Sequence, residues 1–195
     1  MMKRMFMLMS LALMIGAAMA LSGVAQAKSN SASPDAKCAK QASAKLGKGF
    51  DPSGYTFFGG TAGDDNFDGK ATAGPDVFCG FDGANSIYTL DAGDIFLGGD
   101  GYDSVNYNLG TFYGGDGDDQ VGYFDNGNNN PGGTFYGGAG NDSVWVNYGT
   151  FYGGDGDDSV YWNDASYVNA TFNGGAGYDS VTNFISGTLV DVESY

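Results

Sequence analysis

The stretch Thr111-Phe112-Tyr113-Gly114-Gly115-Asp116-Gly117-Asp118-Asp119-Gln120-Val121 joins a strand-forming triplet, a glycine- and aspartate-rich hexapeptide and a second apolar strand start. Its hexapeptide, Gly-Gly-x-Gly-x-Asp, recurs without exception at 98–103, 114–119, 137–142, 153–158 and 174–179, each followed two residues later by Val105, Val121, Val144, Val160 or Val181. The triplet recurs as Thr134-Phe135-Tyr136, Thr150-Phe151-Tyr152, Thr171-Phe172-Asn173 and, in variant form, Thr188-Leu189-Val190. Such self-similarity marks a stacked repeat architecture in which no unit buries its apolar face alone. One circuit is strand, glycine-rich turn, strand, looser turn. Successive circuits take 16, 23, 16 and 21 residues, and the excess falls at Asp125 to Gly133 and Asp164 to Asn169, expected to be loops on the looser side. Weaker copies precede the perfect ones: 60–65 ahead of Phe67, then 71–76, 80–85 and 89–94.

Period-two alternation sets the expected core. One sheet points Phe78, Phe96, Phe112, Phe135, Phe151, Phe172 and Leu189 inward; the other points Phe67, Ile87, Val105, Val121, Val144, Val160 and Val181 inward. Outside, Thr111, Thr134, Thr150 and Thr171 run beside Tyr113, Tyr136 and Tyr152, and Ser143, Trp145, Ser159 and Tyr161 face outward on the second sheet.

The nonapeptide Gly-Gly-x-Gly-x-Asp-x-apolar-x resembles the RTX, or haemolysin-type calcium-binding, repeat, and the resemblance covers about residues 59–195. It implies an all-β, right-handed parallel β-roll or β-solenoid, with a short N-terminal helix or tail ahead of it. It also implies several Ca2+ ions, each wedged between turns of adjacent coils and held by turn carbonyls and the carboxylate at position six. Carried over residue by residue, the ligand set is Gly98, Gly99, Asp100, Gly101 and Asp103; Gly114, Gly115, Asp116, Gly117 and Asp119; Gly137, Gly138, Ala139, Gly140 and Asp142; Gly153, Gly154, Asp155, Gly156 and Asp158; and Gly174, Gly175, Ala176, Gly177 and Asp179. Asp65 joins them at the first coil, and Asn85 keeps an oxygen but loses a charge. Asp76 and Asp94, on the opposite side, are expected to hold one further ion, with no regular second column below them. The segment 187–195 resembles the Val-Glu-Asn type ending that closes many such repeats.

Calcium suits this composition on physical grounds. It takes six to eight oxygens in irregular geometry, and carboxylates stacked about 4.8 Å apart along a sheet repel one another without ions. The chain carries a net charge of −15, and its 8 Lys and Arg all lie at or before Lys70. The anionic body excludes nucleic acid, whose phosphates need Lys and Arg, and anionic lipid.

The N-terminus, Met-Met-Lys3-Arg4, an apolar run from Met5 to Val24 and Ala25-Gln26-Ala27, reads as a secretory signal peptide over 1–27. The expected product is secreted and extracellular, begins at Lys28 and is not inserted in a membrane. Residues 28–50 form a basic segment with a helix signal, Ser33-Pro34 at its start and Gly47 past its end. This segment either caps the first coil's open edge or is a tail, and the β-roll occupies 51–195. Export makes a disulfide between Cys38 and Cys79 the default, with free thiols the alternative. No catalytic set is present: the chain has no His, and Arg4 is its only Arg. A calcium-stiffened structural or surface protein is expected. The alternative is a module that uses the Thr, Tyr and Trp ladders to bind a glycan or cell-surface partner or, less favoured, ice. The sequence leaves the oligomeric state open.

Overall fold

The computed structural model describes residues 32–122, 130–166 and 170–195. The expected signal peptide, residues 125–129 of the first expected loop and 167–169 of the second lie outside them. Helix α1 (Pro34–Leu46) is followed by strands that, from the second onward, alternate between two sheets, every pairing parallel. The first sheet holds β1 (Thr56–Gly59), β2 (Asp76–Asp82), β4 (Ile95–Asp100), β6 (Thr111–Asp116), β8 (Thr134–Ala139), β10 (Thr150–Asp155), β12 (Thr171–Ala176) and β14 (Thr188–Val190), in that spatial order. The second holds β3 (Asn85–Leu90), β5 (Asp103–Asn108), β7 (Gln120–Val121), β9 (Ser143–Asn147), β11 (Ser159–Asn163) and β13 (Ser180–Phe184). This is an all-β parallel β-solenoid of the β-roll kind, with one strand of each sheet per circuit after the first, where the second sheet is met only by an isolated bridge at Asn66.

The inward columns are those that alternation requires. Phe96, Phe112, Phe135, Phe151 and Phe172 are fully buried and stack ring on ring at 4.8 to 5.0 Å, facing Val105, Val121, Val144, Val160 and Val181. The ring spacing equals the interstrand distance of a β-sheet, so the stack follows directly from register. Leu90 joins this core, and Phe58, Leu189 and Val192 pack against it at the ends.

The hexapeptides are less turn and more strand than their composition suggests. Positions one to three extend the first-sheet strand: Gly115 pairs with Gly99 on one side and Gly138 on the other. Gly115 has φ +127°, and a Cβ there would collide with the Gly99 carbonyl oxygen. Only glycine combines that dihedral with so close an approach of neighbouring coils.

Helix α1 lies against the outer face of the first sheet, starting at its edge strand β1. Cys38 and Ala42 bury against Val77, Cys79, Ile95 and Leu97, outward residues of β2 and β4 that are apolar where later coils carry Thr and Tyr. Ser33 caps the helix by accepting from the Ala36 N–H. Cys38 and Cys79 form a disulfide across a sequence separation of 41. The helix touches the edge through Asp35, whose Oδ1 accepts the Gly59 N–H at 2.9 Å. The other end of the helix places Lys45 Nζ over the Tyr113 ring at 5.7 Å.

Candidate metal-binding column

The position-six side chains stack inside the solenoid, where the first sheet turns into the second. Asp103, Asp119, Asp142, Asp158 and Asp179 are all buried, and a hydrogen-bond ladder links them. The backbone N–H of Asp103 donates to Oδ1 of Asp119, Asp119 to Asp142, Asp142 to Asp158 and Asp158 to Asp179, at 2.7 to 2.8 Å. One oxygen of each carboxylate therefore fixes the neighbouring coil. The other, Oδ2, is buried in all five and has no hydrogen-bond partner.

These oxygens have company. A Cβ added at Gly114 would collide with Asp119 Oδ2 and approach the Gly137 carbonyl oxygen, and the same pair of oxygens meets over Gly98, Gly137, Gly153 and Gly174. The absence of a side chain at position one thus opens a cradle in which a carboxylate oxygen and the next coil's carbonyl converge. Burial lifts Asp103 from 3.8 to about 6, Asp119 to about 8, and Asp142 and Asp158 to about 7, with neighbouring carboxylates adding to the rise; Asp179 is raised for the same reasons. A buried charge without a counter-charge is costly, and such a column calls for protons or a cation. Its donors are oxygen only, one carboxylate and one carbonyl per coil, which is the chemistry a hard cation takes. Calcium fits this donor set if adjacent coils contribute together. Among the described residues no three carboxylates form a compact cage.

The remaining residues of the expected ligand set divide clearly. The carbonyls of Asp100, Asp116, Ala139, Asp155 and Ala176 accept from the N–H groups of Gly83, Gly101, Gly117, Gly140 and Gly156 on the preceding coil, and the side chains of Asp100, Asp116 and Asp155 are exposed. They stitch coils together outside the column. Asp65 Oδ2 accepts from the Thr61 N–H and hydroxyl, so it is already satisfied. Asn85 Oδ1 accepts from the Asp65 N–H, and Nδ2, which faces the cradle over Gly80, donates to the Gly83 carbonyl at 3.2 Å; no oxygen remains for the cradle. The column with open oxygens therefore runs from Asp103 to Asp179.

Asp76 accepts from Thr72 through both its oxygens, and its N–H donates to Asp94 Oδ1 at 2.9 Å. That pair is a short ladder with a capped end, and neither residue has an orphaned oxygen comparable to those of the five aspartates. Thr61-Ala62-Gly63 and Thr72-Ala73-Gly74 make the same local loop, each threonine closing a carboxylate column at the N-terminal end. At the other end Glu193 Oε2 accepts the Asp179 N–H at 2.6 Å, which gives the C-terminal segment its capping role.

The looser side carries a ladder of a different kind, made of asparagine. Asn108, Asn130, Asn147 and Asn163 are fully buried on the looser side. Each of the first three donates from Nδ2 to the next Oδ1, at 3.1, 2.8 and 2.8 Å. Gly133, Gly149 and Gly187 supply the space, since a Cβ at each would strike an amide of the ladder. A third ladder runs outside the turns through position five: Asp118 Oδ1 accepts from the Asn141 N–H and Asn141 Oδ1 from the Asp157 N–H, while Asp157 Oδ1 accepts from the Tyr178 N–H.

The outward aromatics also follow the sheet register. Tyr113, Tyr136 and Tyr152 stack face to face at 4.8 and 5.0 Å with planes within 8°, and Trp145 lies on Tyr161 at 4.0 Å. Their π faces cover one another. No family model, curated protein or solved structure matches this chain.

Proposed function

We propose that this chain is a secreted calcium-binding β-solenoid of the RTX type with a structural or surface role, its coils held together by ions seated against Asp103, Asp119, Asp142, Asp158 and Asp179. The observation that carries the reading is the set of five buried carboxylate oxygens without partners, each beside a carbonyl of the next coil or, at the last, of Asp191. Bound cations supply the missing counter-charge, and the glycine carbonyls of 114, 137, 153 and 174 supply further hard donors. The lack of histidine favours a structural over a catalytic role.

Calorimetric titration of the metal-stripped chain with calcium tests this. Several ions per chain are expected, fewer after Asp119→Asn with Asp142→Asn, and an unchanged number after Asp100→Asn. No binding up to millimolar calcium would overturn the reading. Export is tested separately by the mass of the secreted product, expected to begin at Lys28.

A further inference from the structure

The outward column of the second sheet reads Tyr88, Asn106, Gly122, Trp145, Tyr161 by register, so two short residues interrupt an aromatic row. The interruption leaves a cleft of about 430 Å3, within the size range of small-molecule sites. Tyr88 and Tyr102, 55% and 46% exposed, stand beside it, and Asp68, Ser86, Ser104, Asn106 and Gln120 complete the polar lining. Tyr102 donates its hydroxyl to Gln120 Oε1 at 2.5 Å, and Asp68 Oδ1 accepts the Tyr88 N–H. The Asn106 amide oxygen is buried with no hydrogen-bond partner.

We propose that this cleft binds a neutral saccharide. Apolar surface beside hydroxyl and amide groups is the combination that receives a sugar ring and pairs its hydroxyls. The broad χ2 well of asparagine lets the Asn106 oxygen turn toward an incoming hydroxyl, which satisfies an acceptor that is costly to leave unpaired. Among the described residues no cationic side chain lines the cleft, and the net charge of −15 opposes anionic ligands. None of the five column aspartates lines the cleft, so ligand and ion are contacted by different side chains.

The test uses the calcium-loaded chain on an array of neutral and uronic- or sialic-acid-containing oligosaccharides, followed by calorimetry with the strongest neutral binder. Tyr88→Ala and Asn106→Ala are each expected to weaken binding about tenfold or more, the order expected for losing one central contact. Tyr136→Ala should leave it unchanged, and circular dichroism should show all three variants folded. Absence of any neutral binder, preference for acidic glycans, or affinity indifferent to Tyr88→Ala and Asn106→Ala would each overturn the proposal.

Discussion

Removing divalent ions and then varying pH tests the buried column most directly. Burial lifts Asp103, Asp119, Asp142 and Asp158 from 3.8 to about 6, 8, 7 and 7. In the unfolded chain the same groups titrate near the ordinary aspartate value of about 3.9. Between pH 4 and 8 the native state therefore holds more protons than the unfolded state, and stability falls as pH rises through that window. This is opposite to a protein whose carboxylates are salt-bridged. Each pH unit corresponds to about 1.4 kcal/mol, so ionising Asp142, lifted from 3.8 to about 7, costs about 4 kcal/mol. Four such groups together rival the roughly 5–15 kcal/mol net stability of a whole domain. Metal-stripped protein should thus be most stable near pH 4 to 5 and lose its cooperative melt by about pH 8, where added calcium restores it. Thermal melts followed by circular dichroism from pH 4.5 to 8.5, with and without calcium, measure this. A melting temperature that is flat or rises with pH in the metal-stripped chain would refute the reasoning.

Three further outcomes are expected. Replacing Cys38 and Cys79 by Ser opens a link across 41 residues, which the chain-entropy relation values at about 4 kcal/mol; denaturant unfolding with and without reductant measures it. Gly115→Ala puts a methyl group into the Gly99 carbonyl at a φ of +127° and should destabilise severely, whereas Gly54→Ala, with nothing within 4 Å, should change the melting temperature little. Asn147→Ala leaves the Asn130 donor and the Asn163 acceptor unpaired in the interior, at about 1–3 kcal/mol for each group, and thermal melts should show the loss.

Much of this was legible because β-sheet geometry has a strict period of two. Phe112 and Val121 face inward for the same reason that Tyr113 faces outward, and five hexapeptides of one pattern fix which aspartates share a column. The asparagine ladder was obscured by insertions. Asn108 and Asn147 lie three residues before Thr111 and Thr150, but Asn130 lies four before Thr134 and Asn163 eight before Thr171, so no constant spacing announces them. Position in three dimensions also decided what composition left open: Asp65, Asp76 and Asp103 are the same residue type, yet Thr61 and Thr72 satisfy the first two while Asp103 keeps an open oxygen. The helix signal in 33–47 was plain, but its docking face depended on Val77, Ile95 and Leu97, outward residues that period-two alternation alone does not mark as a second core.

Phe112 and Phe135 are 23 residues apart and Phe135 and Phe151 only 16, yet all three pair in the same register. The sheets are indifferent to how much chain is added beside the asparagine corner, before Asn130 in one circuit and after Asn163 in another, because closing a longer loop adds little entropy. That corner is where such a lineage can acquire new segments without renegotiating its interior. Variation in surface chemistry and constancy of scaffold are thereby separated within one circuit, and foreign loops grafted before Asn130 or after Asn163 should be displayed at fixed spacing along the rod.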